Sequence, residues 1–299
     1  MEGVSGIVKP EQTSGGDPMY EEGRKLYTEE INAAVRGAKA GGATEIVVMD
    51  CHGAGGGWTF NSLVPELLDE ACEWVVQEEW TGYTEFLEQG CDAALFVGMH
   101  AKAGTQDGNM NHTVSGRDYQ RLWFNGVEVG ETGINAALCG TWGCPVLLVT
   151  GDEASCREGR ELLGDGLTTV AVKRAFGSGA ARMIPPVRAR KLIEAGAKQA
   201  VGDVKAVPPY DPGSPCEIKV EFKRTTPADR LRFHPGVERL DGRTIRVEAP
   251  SRDLRWRFWS RRRRASRRPT RWGLPPGSCD RRAAPPPGGS GGGPQPSCA

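Results

Sequence analysis

The sequence of 299 residues has no long apolar run and no export signal. A membrane-spanning helix needs roughly 18 or more apolar residues, whereas the best runs here are only Ile46–Met49, Leu95–Val97 and Val146–Val149. These short runs exclude an integral membrane protein. The N-terminal residues MEGVSGIVKPEQ contain neither a basic region nor a continuous apolar region, so they do not form a secretory signal.

Two further motif classes are missing. None of the nine cysteines forms a CxxC pair, which predicts free thiols in a reducing, cytoplasmic setting. The segment Gly53–Trp58 invites a dinucleotide-binding interpretation, but Trp58 stands where GxGxxG needs its third glycine, and no GKS or GKT is present. We therefore predict a flexible glycine-rich loop and not a phosphate cradle.

The formal net charge of zero conceals two unlike parts of the chain. Residues 251–299 carry 12 Arg against two Asp, whereas residues 1–250 carry 26 basic and 36 acidic side chains. The Arg-, Pro- and Gly-rich tail lacks apolar periodicity, so we predict that it is disordered. Its Arg clusters and three Trp could contact nucleic acid, but any disordered polycation binds DNA weakly, so we predict no specific nucleic-acid partner.

Short apolar runs alternate with helix-like stretches, as in an α/β protein whose parallel sheet is covered on both faces. We predict a catalytic domain over residues 1–206, a turn-rich linker, a small α+β domain over residues 207–250, and the tail. The predicted helices are Tyr20–Ala40, Glu131–Gly140, Glu153–Leu163, Pro186–Ala200 and a short piece near Ala228–Phe233. The predicted strands are Ile46–Met49, Ala93–Val97, Val146–Val149, Val170–Val172, Cys216–Phe222 and Thr244–Glu248.

Three of the four histidines lie in loops near the ends of predicted strands. His52 and His100 each come three residues after a strand, at the carboxyl edge where open α/β sheets bind ligands. His112 lies in a polar loop that could reach back over this edge. Each histidine alone could be a structural hydrogen-bonding residue, but their matched placement favours a metal site.

Spacing alone does not assign the two candidate carboxylates as metal ligands. Glu131 begins a helix and could simply complement the helix dipole, and Glu2 would be expected to be mobile at the terminus. Cys51, beside His52, could be a thiolate ligand, but a small buried thiol is the favoured interpretation. Imidazole and carboxylate together suit Zn²⁺ best, and Mn²⁺ or Co²⁺ less well.

Five motifs, in order, carry a resemblance to a known family. They are MEGVSGI, VVMDCHGAG, ALFVGMHAKAGT, GNMNHTVSG and VGETGINA, and over about residues 1–248 the chain resembles the dipeptide-operon D-aminopeptidases, dinuclear zinc peptidases. The resemblance implies a three-layer αβα sandwich with a smaller C-terminal domain and a ring-like homo-oligomer. It also implies metal ligands at Glu2, His52, His100 and Glu131, and a catalytic histidine at His112.

The implied activity is hydrolysis of the N-terminal D-amino acid from short peptides such as D-Ala-D-Ala by a metal-activated water. In that family the first motif is Asp-x-Glu-Gly at the end of a strand, with the Asp bridging two zinc ions, and this sequence starts at the x, Met1. We therefore expect the second zinc site to be weak. The alternative is an inactive remnant that at most binds peptides or metal.

Overall fold

The computed structural model describes residues 1–77 and 85–249. Its α-helices are α1 (Tyr20–Ala40), α2 (Glu85–Glu88), α3 (Glu131–Thr141), α4 (Glu153–Leu163), α5 (Pro186–Val201) and α6 (Thr225–Leu231). Its strands are β1 (Val47–Met49), β2 (Glu73–Val75), β3 (Ala94–Met99), β4 (Tyr119–Phe124), β5 (Val127–Glu128), β6 (Val146–Asp152), β7 (Thr168–Gly177), β8 (Ala180–Met183), β9 (Cys216–Phe222), β10 (Val237–Arg239) and β11 (Thr244–Ala249). No helix among these residues is long and apolar enough to cross a membrane.

The central sheet has the strand order β3-β6-β7-β8. The first three strands are parallel and β8 is antiparallel. Every residue of β6 is buried, as expected for a strand whose two faces are both covered. A second parallel pair, β1 with β2, contains the strand that precedes His52.

Helices cover both faces of this sheet. Gly196 of α5 packs against Leu148, whereas Gly159 of α4 packs against Val149. Because neighbouring residues of a strand point to opposite faces, α5 and α4 lie on opposite sides of β6. Helix α1 packs closely on α5 and α3 packs on α4, which gives the three-layer αβα sandwich that the family resemblance implied.

A second sheet is entirely antiparallel, with the order β10-β11-β9-β4-β5. Its strands β9 and β11 were predicted, but β4, β5 and β10 were missed. Residues from both sides of the predicted boundary at residue 206 therefore share one sheet, since β4 pairs with β9. The division into domains stays a prediction, and the predicted disordered tail at 251–299 lies outside the described residues.

The N-terminal segment is packed into the protein. Met1, Val4 and Ile7 are buried, and the Gly3 amide donates to the Gly98 carbonyl at the end of β3 at 3.0 Å. The expectation that Glu2 would be mobile was wrong, because its side chain is buried against His52 at the edge of the sheets.

Candidate metal centre

His52 and His100 are placed at the carboxyl ends of β1 and β3. His52 follows β1 by three residues, and His100 follows β3 directly because that strand runs two residues further than predicted. Gly98, at a positive φ of 74°, belongs to an irregularity near the end of β3. A side chain there would collide with Val4 at 2.8 Å, so glycine lets the N-terminal segment approach the strand end.

Glu2 and His52 form the first half of the site, named here the Glu2–His52 pair. The Glu2 Oε1 atom lies 3.1 Å from His52 Nε2, and both side chains are buried. Burial alone would raise the pKa of Glu2, but the adjacent His52 holds that pKa well below its usual range. Glu2 is therefore a carboxylate at neutral pH, available as a charged oxygen ligand.

A short relay of side chains orients His52. Its Nδ1 atom lies 3.0 Å from Ser62 Oγ, and the Tyr20 hydroxyl donates to the same oxygen at 3.0 Å. Asp50 accepts the His52 and Ser62 amides at 2.9 and 2.5 Å, which fixes the turn. No sequence signal marks these supporting residues as functional, although Asp50 lies within one of the five motifs.

His100, His112 and Glu131 form the second half of the site, named here the three-donor cluster. One carboxylate oxygen, Glu131 Oε1, lies 3.4 Å from His100 Nε2 and 3.6 Å from His112 Nε2. The two imidazole rings stack with centroids 3.9 Å apart. Ligand atoms of these three residues all lie within 4.8 Å of one another.

Backbone contacts fix the chemistry of each cluster member. The Nδ1 atoms of His100 and His112 face the Ala101 and Met110 carbonyls at 3.0 and 2.8 Å. Because a carbonyl only accepts, each Nδ1 carries the proton, and each Nε2 is directed toward Glu131. Glu131, the first residue of α3, accepts the Val114 amide at 2.8 Å.

Electrostatics favour a cation between these groups. Burial lowers the pKa of His100, but the Glu131 carboxylate outweighs burial and raises this pKa to about 9. Burial likewise opposes ionisation of Glu131, yet the charge of His100 lowers its pKa to about 2. The pKa of His112 is lowered by burial and by the charge of His100. Of the two histidines, His100 therefore carries the extra proton beside the Glu131 carboxylate, and a metal cation would be stabilised at the same place.

The donor set fits zinc. Zn–N and Zn–O bonds of about 2.0–2.2 Å place neighbouring donors of a tetrahedron about 3.3–3.6 Å apart. The separations of 3.4 and 3.6 Å around Glu131 Oε1 match this spacing. Cys51 is exposed, not buried as favoured from the sequence, and it is not part of the cluster found among the described residues.

The five residues singled out from the sequence thus face one region in two groups. The charge of His100 also contributes to the lowered pKa of Glu2. His112, predicted as the catalytic histidine, lies near the same carboxylate oxygen as His100, so its distance also suits a ligand. The individual roles stay predictions.

Comparison with known proteins agrees with this geometry. The D-aminopeptidase family profile matches residues 1–260. The chain is 31% identical over 255 residues to the D-aminopeptidase of Bacillus subtilis (strain 168), covering 85% of this chain and 90% of the relative. It also resembles the solved structure of the Zn-dependent D-aminopeptidase DppA from Bacillus subtilis, a self-compartmentalizing protease, with TM-score 0.78, 29% identity, and 85% and 91% of the two chains covered.

Proposed function

Because this chain belongs to the D-aminopeptidase family of peptidases, we propose that it removes the N-terminal D-amino acid from short peptides such as D-Ala-D-Ala in a zinc-dependent reaction. The observation that carries the proposal is the three-donor cluster, whose spacing and charge suit a zinc ion. We propose His100 and Glu131 as ligands of the tighter ion, and Glu2 and His52 as ligands of a second, weaker ion.

Zinc held by these residues would supply Lewis acidity toward the scissile carbonyl and lower the pKa of a water to about 7. The protein's own contribution is the exposure and the protonation state of the side chains at the site. The side chains of His52 and His100 are almost fully buried, whereas His112 and Glu131 are 22% and 24% exposed. The peptide is therefore expected to approach from the side of His112 and Glu131.

His112 is the proposed proton-transfer residue. Its pKa is lowered by burial and by His100, so its imidazole is neutral at pH 7 and can accept a proton. The Met110 carbonyl, 2.8 Å from Nδ1, fixes the tautomer in which Nε2 takes that proton. The same nitrogen then returns a proton to the leaving amine, as a general acid does.

The test is turnover of D-Ala-D-Ala and L-Ala-L-Ala by the zinc-loaded protein, with and without a chelator. We expect hydrolysis of the D-peptide that disappears with the chelator and returns with zinc. Zinc binding without turnover of either peptide would instead support the inactive remnant. Preferred cleavage of the L-peptide would contradict the proposed substrate class.

We also propose that the chain assembles with copies of itself, since the related Bacillus subtilis enzyme is a self-compartmentalizing protease. Light scattering coupled to size-exclusion chromatography measures this directly. A particle several times the 32.2 kDa of one chain is expected, and a monomer at micromolar concentration would contradict it. The cytoplasmic location stays a prediction.

A further inference from the structure

Lys173 is a buried cation in the middle of the central sheet. It lies on β7 and is only 2% exposed. Its ammonium group donates to the carbonyls of Glu2, Ile7 and Val4 at 2.5, 2.6 and 3.2 Å, and to Asn109 Oδ1 at 2.7 Å. One side chain thus binds the segment that carries Glu2 and the loop that carries His112.

Asn109 extends this connection along the loop that carries His112. Its backbone amide donates to Asp152 Oδ2 at 2.8 Å, and its side-chain amide donates to the Ser178 carbonyl at 2.7 Å. The next residue, Met110, supplies the carbonyl that orients His112. Lys173 is therefore one residue away from the contact that fixes the tautomer of His112.

The chemistry of this contact requires an ammonium group. A buried charge is expensive to desolvate and is tolerated only where its hydrogen bonds are satisfied. An ammonium has three N–H donors, which here are shared among four oxygen acceptors, whereas an apolar side chain of the same length would leave those acceptors unpaired. Apolar packing alone would be served as well by methionine.

We propose that Lys173 is a positioning residue that sets the Glu2–His52 pair and the His112 loop at their working separation. This inference rests on the proposed function for its catalytic consequence, but the positioning itself is independent of turnover. Substituting a residue that holds a metal ligand in place commonly lowers metal affinity or activity about 10–100-fold, and Lys173 contacts two parts of the site together.

The test compares Lys173→Met, Lys173→Ala and Asn109→Ala with a matched control, Arg174→Met. Arg174 neighbours Lys173 on the same strand, but its side chain is 65% exposed and pairs with Glu153. Hydrogen exchange of the zinc-loaded protein is followed in peptides covering residues 1–13, 108–116 and 186–201. Zinc affinity is measured by chelator competition, and kcat and KM are measured on D-Ala-D-Ala.

In both Lys173 variants we expect exchange to rise at least about 10-fold in residues 1–13 and 108–116 but not in 186–201. We expect the affinity for the second zinc ion, held by Glu2 and His52, to weaken about 10–100-fold, and kcat to fall with little change in KM. Asn109→Ala should loosen residues 108–116 most, and residues 1–13 less, because there it removes directly only the 3.3 Å hydrogen bond to the Val8 carbonyl. Arg174→Met should match the unmodified protein in every measurement.

Three outcomes would overturn the inference. One is a Lys173→Met protein that behaves like the Arg174→Met control, because the lysine would then serve only packing. Another is a uniform rise of exchange that includes residues 186–201, which indicates general stability. The third is an unchanged affinity for the second zinc ion although exchange rises in residues 1–13 and 108–116. If the unmodified protein lacks peptidase activity, the exchange and zinc measurements still decide the role of Lys173.

Discussion

The two halves of the site are held in place in different ways. In the three-donor cluster, His100 follows a strand, Glu131 begins a helix, and each histidine is oriented by a carbonyl one or two residues away. In the Glu2–His52 pair, the contact joins residues 50 positions apart. That contact depends on side chains of Ser62, Asp50 and Lys173.

The difference implies unequal metal affinity. The end of β3 places His100 and the start of α3 places Glu131, so these two donors need little further ordering once the sheet has formed. The Glu2–His52 pair must in addition order the N-terminal segment, at about 1–2 kcal/mol per backbone residue fixed. We therefore expect the cluster to bind the tighter ion.

The largest expected effect is the loss of that ion. In the double variant His52→Ala/His100→Ala, stoichiometric zinc should disappear from elemental analysis, and D-Ala-D-Ala turnover should fall at least about 1000-fold, since several kcal/mol of transition-state stabilisation are removed. His100→Ala alone should have nearly the same effect, whereas His52→Ala should retain one ion. His234→Ala, in the turn between α6 and β10, is the control. Retained zinc in the double variant would contradict the assignment.

The second effect separates the two possible roles of His112. We expect His112→Ala to keep the tighter zinc ion and to lower kcat at least about 100-fold, the usual scale for losing a general acid or base. Elemental analysis and steady-state kinetics measure both quantities. Loss of zinc would make His112 a ligand, and unaltered turnover would remove it from the mechanism.

Much of this site follows from local sequence signals, and some of it does not. His52, His100 and Glu131 occur at strand ends or a helix start, which periodicity locates. The role of Lys173 could not be predicted, because a lysine after Val170–Val172 indicates the end of a strand. In the structure β7 continues to Gly177. Its ammonium is satisfied by carbonyls more than 160 positions away, and no local pattern encodes such a contact.

Strands β4, β5 and β10 of the second sheet were missed for a related reason. Strand β4 contains the charged Arg121 among its apolar residues, and it pairs with β9 almost a hundred positions further along the chain. The paired residues Trp123 and Lys219, whose ammonium lies 4.2 Å from the centroid of the Trp123 ring, become neighbours only after that pairing. Pairing with a distant strand therefore determines that these residues form a strand, which the alternation of polar and apolar residues alone does not indicate.

A smaller effect on zinc binding is expected when the hydrogen bonds that link Tyr20, Ser62 and His52 are removed. Ser62→Ala removes the hydroxyl between Tyr20 and His52, so it should weaken the second zinc ion about 10-fold and leave the tighter ion unchanged. Isothermal titration with zinc resolves the two sites, and Ser178→Ala is an exposed control. Equal weakening of both sites would mean that the two halves are not independent.

The smallest effect concerns stability at the N-terminal segment. Buried Glu30 accepts the Ser5 amide at 2.9 Å through Oε1, while its Oε2 has no hydrogen-bond partner among the described residues. Burial raises the pKa of Glu30 from 4.5 to about 7. A raised carboxyl pKa means that the folded protein binds the proton more tightly, so this stabilisation is full below about pH 4.5 and is lost as the pH rises through 7.

Glu30→Gln keeps the acceptor for Ser5 but cannot ionise, so it should abolish that loss. We expect its Tm to be close to that of the unmodified protein at pH 5 and about 5 °C higher at pH 8.5, with zinc saturating in both. Glu29→Gln is the matched control, because Glu29 is the neighbouring acid, is partly exposed and pairs with Arg190 at 3.8 Å. A Tm difference that does not change with pH would show that Glu30 keeps one protonation state between pH 5 and pH 8.5, and that the N-terminal segment is held independently of its charge.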